Sequence, residues 1–339
     1  MKLIRLNSFL YLFCILSVFA SCVQKPDSSV EDWDRTFINT KKLISEACLD
    51  RELILGRPFL IQYVDSSLLI YDDIGDSLFL LVDLKENDRV YRFGQKGEGN
   101  NEFLQVFAFC NMKSDSILGV YDAYKHELRE INLDKVKRGE MNFPVVFKDT
   151  LSSIKLSPTK YDAYLGLGFY ESNMLSLTDN SIGSKFFFEY PYKDSREKAI
   201  SNRLRGMAYQ GTLCSNRSLD KFLYAVCSAP IFMLFSVNKD GIEKTYELIG
   251  GYPNYVTEET GEYRSAPMSA DNKMSFTMAY ATDNYIYLLY SGKNFRDAGM
   301  DAFKANVIYQ LSWNGKPINK FETDSVSYTH LTLPTILRV

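Results

Sequence analysis

Five times along this 339-residue chain an apolar stretch ends on a polar residue. The copies are Leu69-Ile70-Tyr71-Asp72, Gly119-Val120-Tyr121-Asp122, Gly168-Phe169-Tyr170-Glu171, Ala225-Val226-Cys227-Ser228 and Leu288-Leu289-Tyr290-Ser291. Successive end points lie 50, 49, 57 and 63 residues apart. Further strand-like runs follow each copy, first at 77–84 and 89–93, later at 127–133, 185–190, 233–237 and 307–313. Four short strands in roughly 40–50 residues is the period of a propeller blade, a unit that buries its faces only by stacking on neighbours. The repeat predicts an all-β chain folded as a β-propeller. A sixth end point at the same spacing falls at 341–354, past Val339, so the expectation is a six-bladed β-propeller whose last blade is truncated.

Composition agrees with a large folded core. Apolar residues make up 46% and charged residues 24%, which argues against a disordered chain or a multi-span membrane protein. The formal charge of -3 lacks the basic footprint of a nucleic-acid binder. Helical periodicity is weak, with short turns expected only near residues 40–48 and 133–137.

The two ends read differently from the body. Lys2 and Arg5 precede an apolar run at 9–19 that is too short to span a bilayer as a helix. Small Ala20 and Ser21 then precede Cys22, a pattern that resembles a bacterial lipobox, with Phe19 where leucine is usual. Residues 1–21 are therefore expected to be a signal peptide, and Cys22 the site of lipidation, including an amide-linked acyl chain such as palmitate. Residues 23–34 carry Pro26, two serines and four acidic residues, so 22–34 reads as a solvated tether. The propeller is placed at 35–325. Residues 326–339 contain no acid and resemble a translated adapter sequence, so they are expected to be a non-native tail.

The body resembles a known family. The segment 92–103, with Gly94, Gly97, Gly99, Glu102 and Phe103, resembles the inter-blade loop of NHL-type propellers. It is more similar to the TolB-like six-bladed propeller lipoproteins of Bacteroidales, which usually carry Gly-Pro-Glu-Phe near this point, where this chain has Asn100-Asn101-Glu102-Phe103. Leu55-Gly56-Arg57-Pro58, the stretch Tyr290-Ser291-Gly292-Lys293 and the late run 306–317 follow the same order. The resemblance covers about residues 18–324. It implies a lipid-anchored propeller of the cell envelope, facing the periplasm or the cell surface, in a family whose members generally have no assigned reaction.

Chemistry-bearing motifs are sparse. Only His126 and His330 are available as histidines, and no Gly-x-Ser-x-Gly elbow is present. His126 lies in a polar turn and reads as a surface residue. Asp72, Asp73 and Asp76 lack calcium-loop alternation. Cys48, Cys110, Cys214 and Cys227 have no metal-type spacing, and are expected to be small buried residues. No catalytic residue, metal ligand or cofactor is assigned. The glycine-rich loop follows a strand and leads into another, so a tight connection explains it better than phosphate binding. Asp76-Ser77-Leu78, Asp115-Ser116-Ile117 and Asp149-Thr150-Leu151 resemble short O-glycosylation acceptors and equally read as turns.

If the five repeat ends face one channel mouth, Asp72, Asp122, Glu171, Ser228 and Ser291 would ring a ligand site. Two functions follow. One is a non-catalytic binding or scaffold lipoprotein, with an envelope protein, a peptide or a glycan as partner. The other is a propeller hydrolase or lyase using channel carboxylates and a divalent ion.

Overall fold

The computed structural model describes residues 29–46, 49, 53–86, 88–179, 183–260 and 263–327. The five repeats are five antiparallel sheets arranged as the blades of a propeller. Blade 1 runs through Pro58–Val64, Ser67–Asp72, Phe79–Asp83 and Arg89–Phe93. Blade 2 is Val106–Asn111, Ile117–Asp122, Glu127–Asn132 and Val145–Lys148. Blade 3 is Lys155–Pro158, Tyr164–Leu167, Leu175–Asp179 and Gly183–Phe187. Blade 4 is Gly211–Ser215, Lys221–Val226, Ile231–Val237 and Ile242–Ile249. Blade 5 is Phe276–Ala281, Tyr285–Tyr290, Ala305–Ser312 and Pro317–Ser327. Residues from the first strand of every blade line one common cavity, so these strands are innermost.

Blade faces explain the apolar runs. In blade 1, Leu69, Tyr71, Phe79 and Leu81 join a core with Val106, Leu118 and Val120 of blade 2. The alternate residues Leu68, Ile70, Leu80 and Val82 form a separate core on the opposite face. Successive side chains of a strand point to opposite faces, so a strand covered on both sides is apolar throughout. Each fully buried side chain of this size contributes roughly 1.5–3 kcal/mol.

Four of the five blade junctions are each spanned by one continuous core: 1–2, 2–3, 3–4 and 4–5. The junction between blades 5 and 1 differs. Tyr287, Leu289, Ile308 and Phe321 of blade 5 form one cluster, and the Leu68 set of blade 1 forms another. A sixth blade would stand at this junction. Val326 and Ser327, placed in the expected tail, continue the last strand, where Ser327 pairs with Ala305. Residues 328–339, Cys22, Cys48 and the expected signal lie outside the described residues.

The N-terminal segment departs from the sequence expectation at two places. The end of the expected tether is folded: Val30–Asp34 is a short helix capped by the Ser29 hydroxyl, which accepts from the Asp32 amide at 3.1 Å. The reason is Trp33, which is only 4% exposed and sits within 4.7–6.1 Å, centroid to centroid, of Phe37, Phe232, Phe276 and Tyr309. Phe232 belongs to blade 4, and Phe276 and Tyr309 to blade 5, so the helix clamps that junction. Thr40–Leu43, expected as a turn, is a strand that pairs in parallel with residues 320–323 at the outer edge of blade 5. A long-range strand edge overrides the local preference here. Leu133–Lys137 is helical, as expected.

The glycine loop is an inter-blade connection. Gly94 has φ +72, and a Cβ there would strike the Phe79 ring. Glu102 folds back so that its carboxylate accepts from the Gly99 amide at 2.8 Å. Lys125 of blade 2 donates to the Gly99 and Glu102 carbonyls at 2.8 Å. Phe103 is fully buried against Phe79 and Phe143.

Candidate functional site: the axial cavity

Four of the five repeat-end residues are fold staples. Asp72 is 2% exposed, and its carboxylate accepts from the amides of Gly56 at 2.6 Å and Arg57 at 2.8 Å. Asp122 is fully buried and accepts from Leu104 at 2.6 Å, Gln105 at 3.2 Å, and Tyr124 and Lys125 at 3.1 Å. In both cases the carboxylate fastens the segment that enters the same blade's innermost strand. Ser228 does the same by donating to the Ala208 carbonyl at 2.6 Å. The Ser291 hydroxyl donates to Ala302 at 2.6 Å, while its amide donates to the Ser275 carbonyl just before the innermost strand of blade 5. Glu171 is exposed, and Asp149 takes its place in blade 3, accepting from the Ser153 amide at 2.6 Å and the Tyr121 hydroxyl at 2.8 Å. None of the five lines the axial cavity. The structure thus holds them in separate blades instead of bringing them together.

Burial pushes the Asp72 carboxyl up, but the amides of Arg57, Gly56 and Ile74 and the charge of Arg92 outweigh it and hold it below the ordinary value. Its contribution to stability is therefore present above the unfolded carboxylate range and is lost as pH falls through the lowered value.

What the ring does bring together is the axial cavity, about 110 Å³ in volume. Along the innermost strands of blades 2, 4 and 5, half-buried positions alternate with buried ones. The half-buried set includes Phe107, Phe109, Asn111, Thr212, Cys214, Met278 and Tyr280, and all seven line the cavity. Gln62 of blade 1 and Lys155 of blade 3 complete a wall that is aromatic and amide-rich. The described wall contains no Asp or Glu.

The two ends of the cavity are unlike. Asn111 and Ser215 close their strands, and the Asn111 amide donates to the Ser215 carbonyl at 3.0 Å. Beyond it, Arg217 of blade 4 pairs with Asp115 of blade 2 at 3.0 Å. These contacts bridge non-adjacent blades across that end. Lys155 opens its strand, so it stands toward the other end. Its ammonium donates to the Phe107 carbonyl and lies 6.0 Å from the Phe107 ring centre. One carbonyl uses one of its three donors. Burial alone pushes this amine down to about 8. No carboxylate among the described residues offsets the desolvation.

Sequence reading missed Lys155. It lies in Ile154-Lys155-Leu156, an ordinary strand pattern, and only ring closure reveals which face meets the axis. Cys110, Cys214 and Cys227 are free thiols that burial pushes up to about 12; Cys110 is buried as expected, whereas Cys214 and Cys227 are half-buried. His126 is half-buried in its turn, with φ +54. Among the described residues no group of three or more His, Cys, Asp or Glu side chains could hold a metal ion, and no helix is long and apolar enough to cross a membrane.

Comparison with solved structures returns propellers at low identity. One is named as an exported protein of Bacteroides fragilis: it is 11% identical, with 84% of this chain and 80% of that one covered, at a TM-score of 0.49. A member of the DUF4221 family from Bacteroides vulgatus is 11% identical, with 85% and 87% covered, at 0.47. The calcium-binding protein regucalcin from Agrobacterium tumefaciens is 9% identical, with 86% and 82% covered, at 0.45. No curated protein matches. Residues 36–330 match the family described as TolB-like 6-blade propeller-like, which covers the whole ring of blades. The chain belongs to that TolB-like propeller family.

Proposed function

We propose that this protein is an exported propeller lipoprotein, held in the cell envelope by lipid on Cys22, with a non-catalytic binding or scaffold role. The lipobox-like 18–22 supports the anchor. The observation that carries the binding role is the wall of the axial cavity: aromatic rings, amides, hydroxyls and one lysine, without a carboxylate in the described set. Such a wall resembles a receptor, since ligand sites combine apolar surface with a few placed polar groups. A carboxylate-based hydrolase or lyase would need several Asp or Glu oxygens converging on one point. The ligand is expected to be an envelope component, a peptide or a glycan, entering from the end where Lys155 stands.

Two or three acyl chains hold a protein on a bilayer far more firmly than one, at about 0.8 kcal/mol per buried methylene. Cys22→Ala is therefore expected to move the protein from the membrane to the soluble fraction and to abolish labelling by a fatty-acid analogue. Unchanged labelling of the variant would remove the anchor from this proposal.

A further inference from the structure

We propose that the axial cavity binds the carboxylate group of a small acid, such as acetate or the carboxylate of a uronic acid whose ring stays outside the cavity, through the Lys155 ammonium. This rests on the reading of the cavity as the binding site and adds the chemical class of its ligand. A buried cation is costly unless an opposite charge pairs with it. Here the described wall supplies none, and among the described residues the half-buried Lys155 donates only to the Phe107 carbonyl, so two donors remain for a ligand. The counter-charge must come from outside, and the shape limits its source. A cavity of about 110 Å³ admits a carboxylate-sized group or a small organic acid, not a large polyanion.

The charge requirement gives the proposal a pH signature. The other titratable groups of the wall are Cys110, Cys214 and Tyr280, and burial raises all three. Arg217 and Asp115 face each other as an ion pair at the bridged end. Lys155 is thus the group that changes charge in mildly alkaline solution, and a bound carboxylate would hold its proton on.

Isothermal titration calorimetry with glucuronate, acetate and neutral glucose tests this on the full chain. Glucuronate and acetate are expected to bind at pH 6.5, and glucose at least tenfold more weakly than glucuronate. Affinity for both acids is expected to fall at least tenfold by pH 9.5. Lys155→Met should lose binding at least tenfold while melting no lower than the native protein, since the methionine side chain is uncharged and similar in length. Undiminished binding by the variant overturns the proposal, as does the absence of heat with both acids. Glucose binding as tightly as glucuronate also overturns it, yet leaves the cavity as a binding site and the envelope role intact.

Discussion

Trp33→Ala is expected to destabilise the protein by about 3–5 kcal/mol, the usual cost of truncating a buried large aromatic. The indole is 4% exposed and is packed by four aromatic rings, three of them from the last two blades, Phe232, Phe276 and Tyr309. The same helix donates a second tie. Asp34 accepts from the Tyr309 hydroxyl at 2.6 Å and pairs with Lys320 at 2.8 Å. Burial pushes the Tyr309 hydroxyl up, and Asp34 adds to it, so that phenol stays protonated as the donor. Losing the indole opens a void between blades 4 and 5 that neither sheet can close without moving. At about 2 °C or more per kcal/mol for a domain of this size, the melting temperature should fall by roughly 6–15 °C. Ile38, only five residues away and 93% exposed, is the control: Ile38→Ala should change stability by about 0.5 kcal/mol or less. Equal effects of the two substitutions would show that the N-terminal segment does not belong to the fold.

Asp122→Asn should cost on the order of 3 kcal/mol, because a buried acceptor becomes in part a donor. Four backbone amides converge on this carboxylate, and the substituted amide group has only one oxygen to offer them. Two of these amides, Leu104 and Gln105, lead directly into the innermost strand of blade 2, whose Val106 amide donates to the Tyr71 hydroxyl of blade 1 at 3.4 Å. Glu171→Gln, at the exposed counterpart, should be neutral within about 0.5 kcal/mol. Chemical denaturation of both variants gives the comparison. An Asp122→Asn protein as stable as the native one, but altered in ligand binding, would make the repeat-end residues a ligand ring instead of staples.

The repeat that reveals the fold is therefore the repeat of a structural device. In four blades the polar end residue follows an apolar second strand because something must hold the segment that enters the same blade's innermost strand, and in blade 3 Asp149 does so in place of Glu171. That need recurs once per blade, so it is legible at a spacing of 49–63 residues. Blade faces were legible for a similar reason: covered on both sides, Leu68 to Tyr71 leave no polar position in the strand. The site was not legible. Lys155 meets Phe107, Asn111 meets Ser215 and Thr212 meets Met278 only because the blades stack around one axis, and no local pattern encodes which residue faces it. Thr40–Leu43 was hidden too, since its partner strand lies some 280 residues later. Five blades are described in a family of six-blade propellers, and the separate cores on either side of the 5–1 junction mark where the remaining blade would pack.

The reading of the axial cavity as a carboxylate site requires that Lys155 stand in it desolvated and without a counter-charge. Titrating the protein with 13C-labelled lysine, with the Lys155 signal assigned by its loss in Lys155→Met, reads that state directly. Without ligand, a midpoint near 8 is expected, well below the ordinary 10.5. A midpoint at or above 10.5 would mean that solvent or an acidic partner already satisfies the ammonium, and would contradict the cavity as a site awaiting a carboxylate.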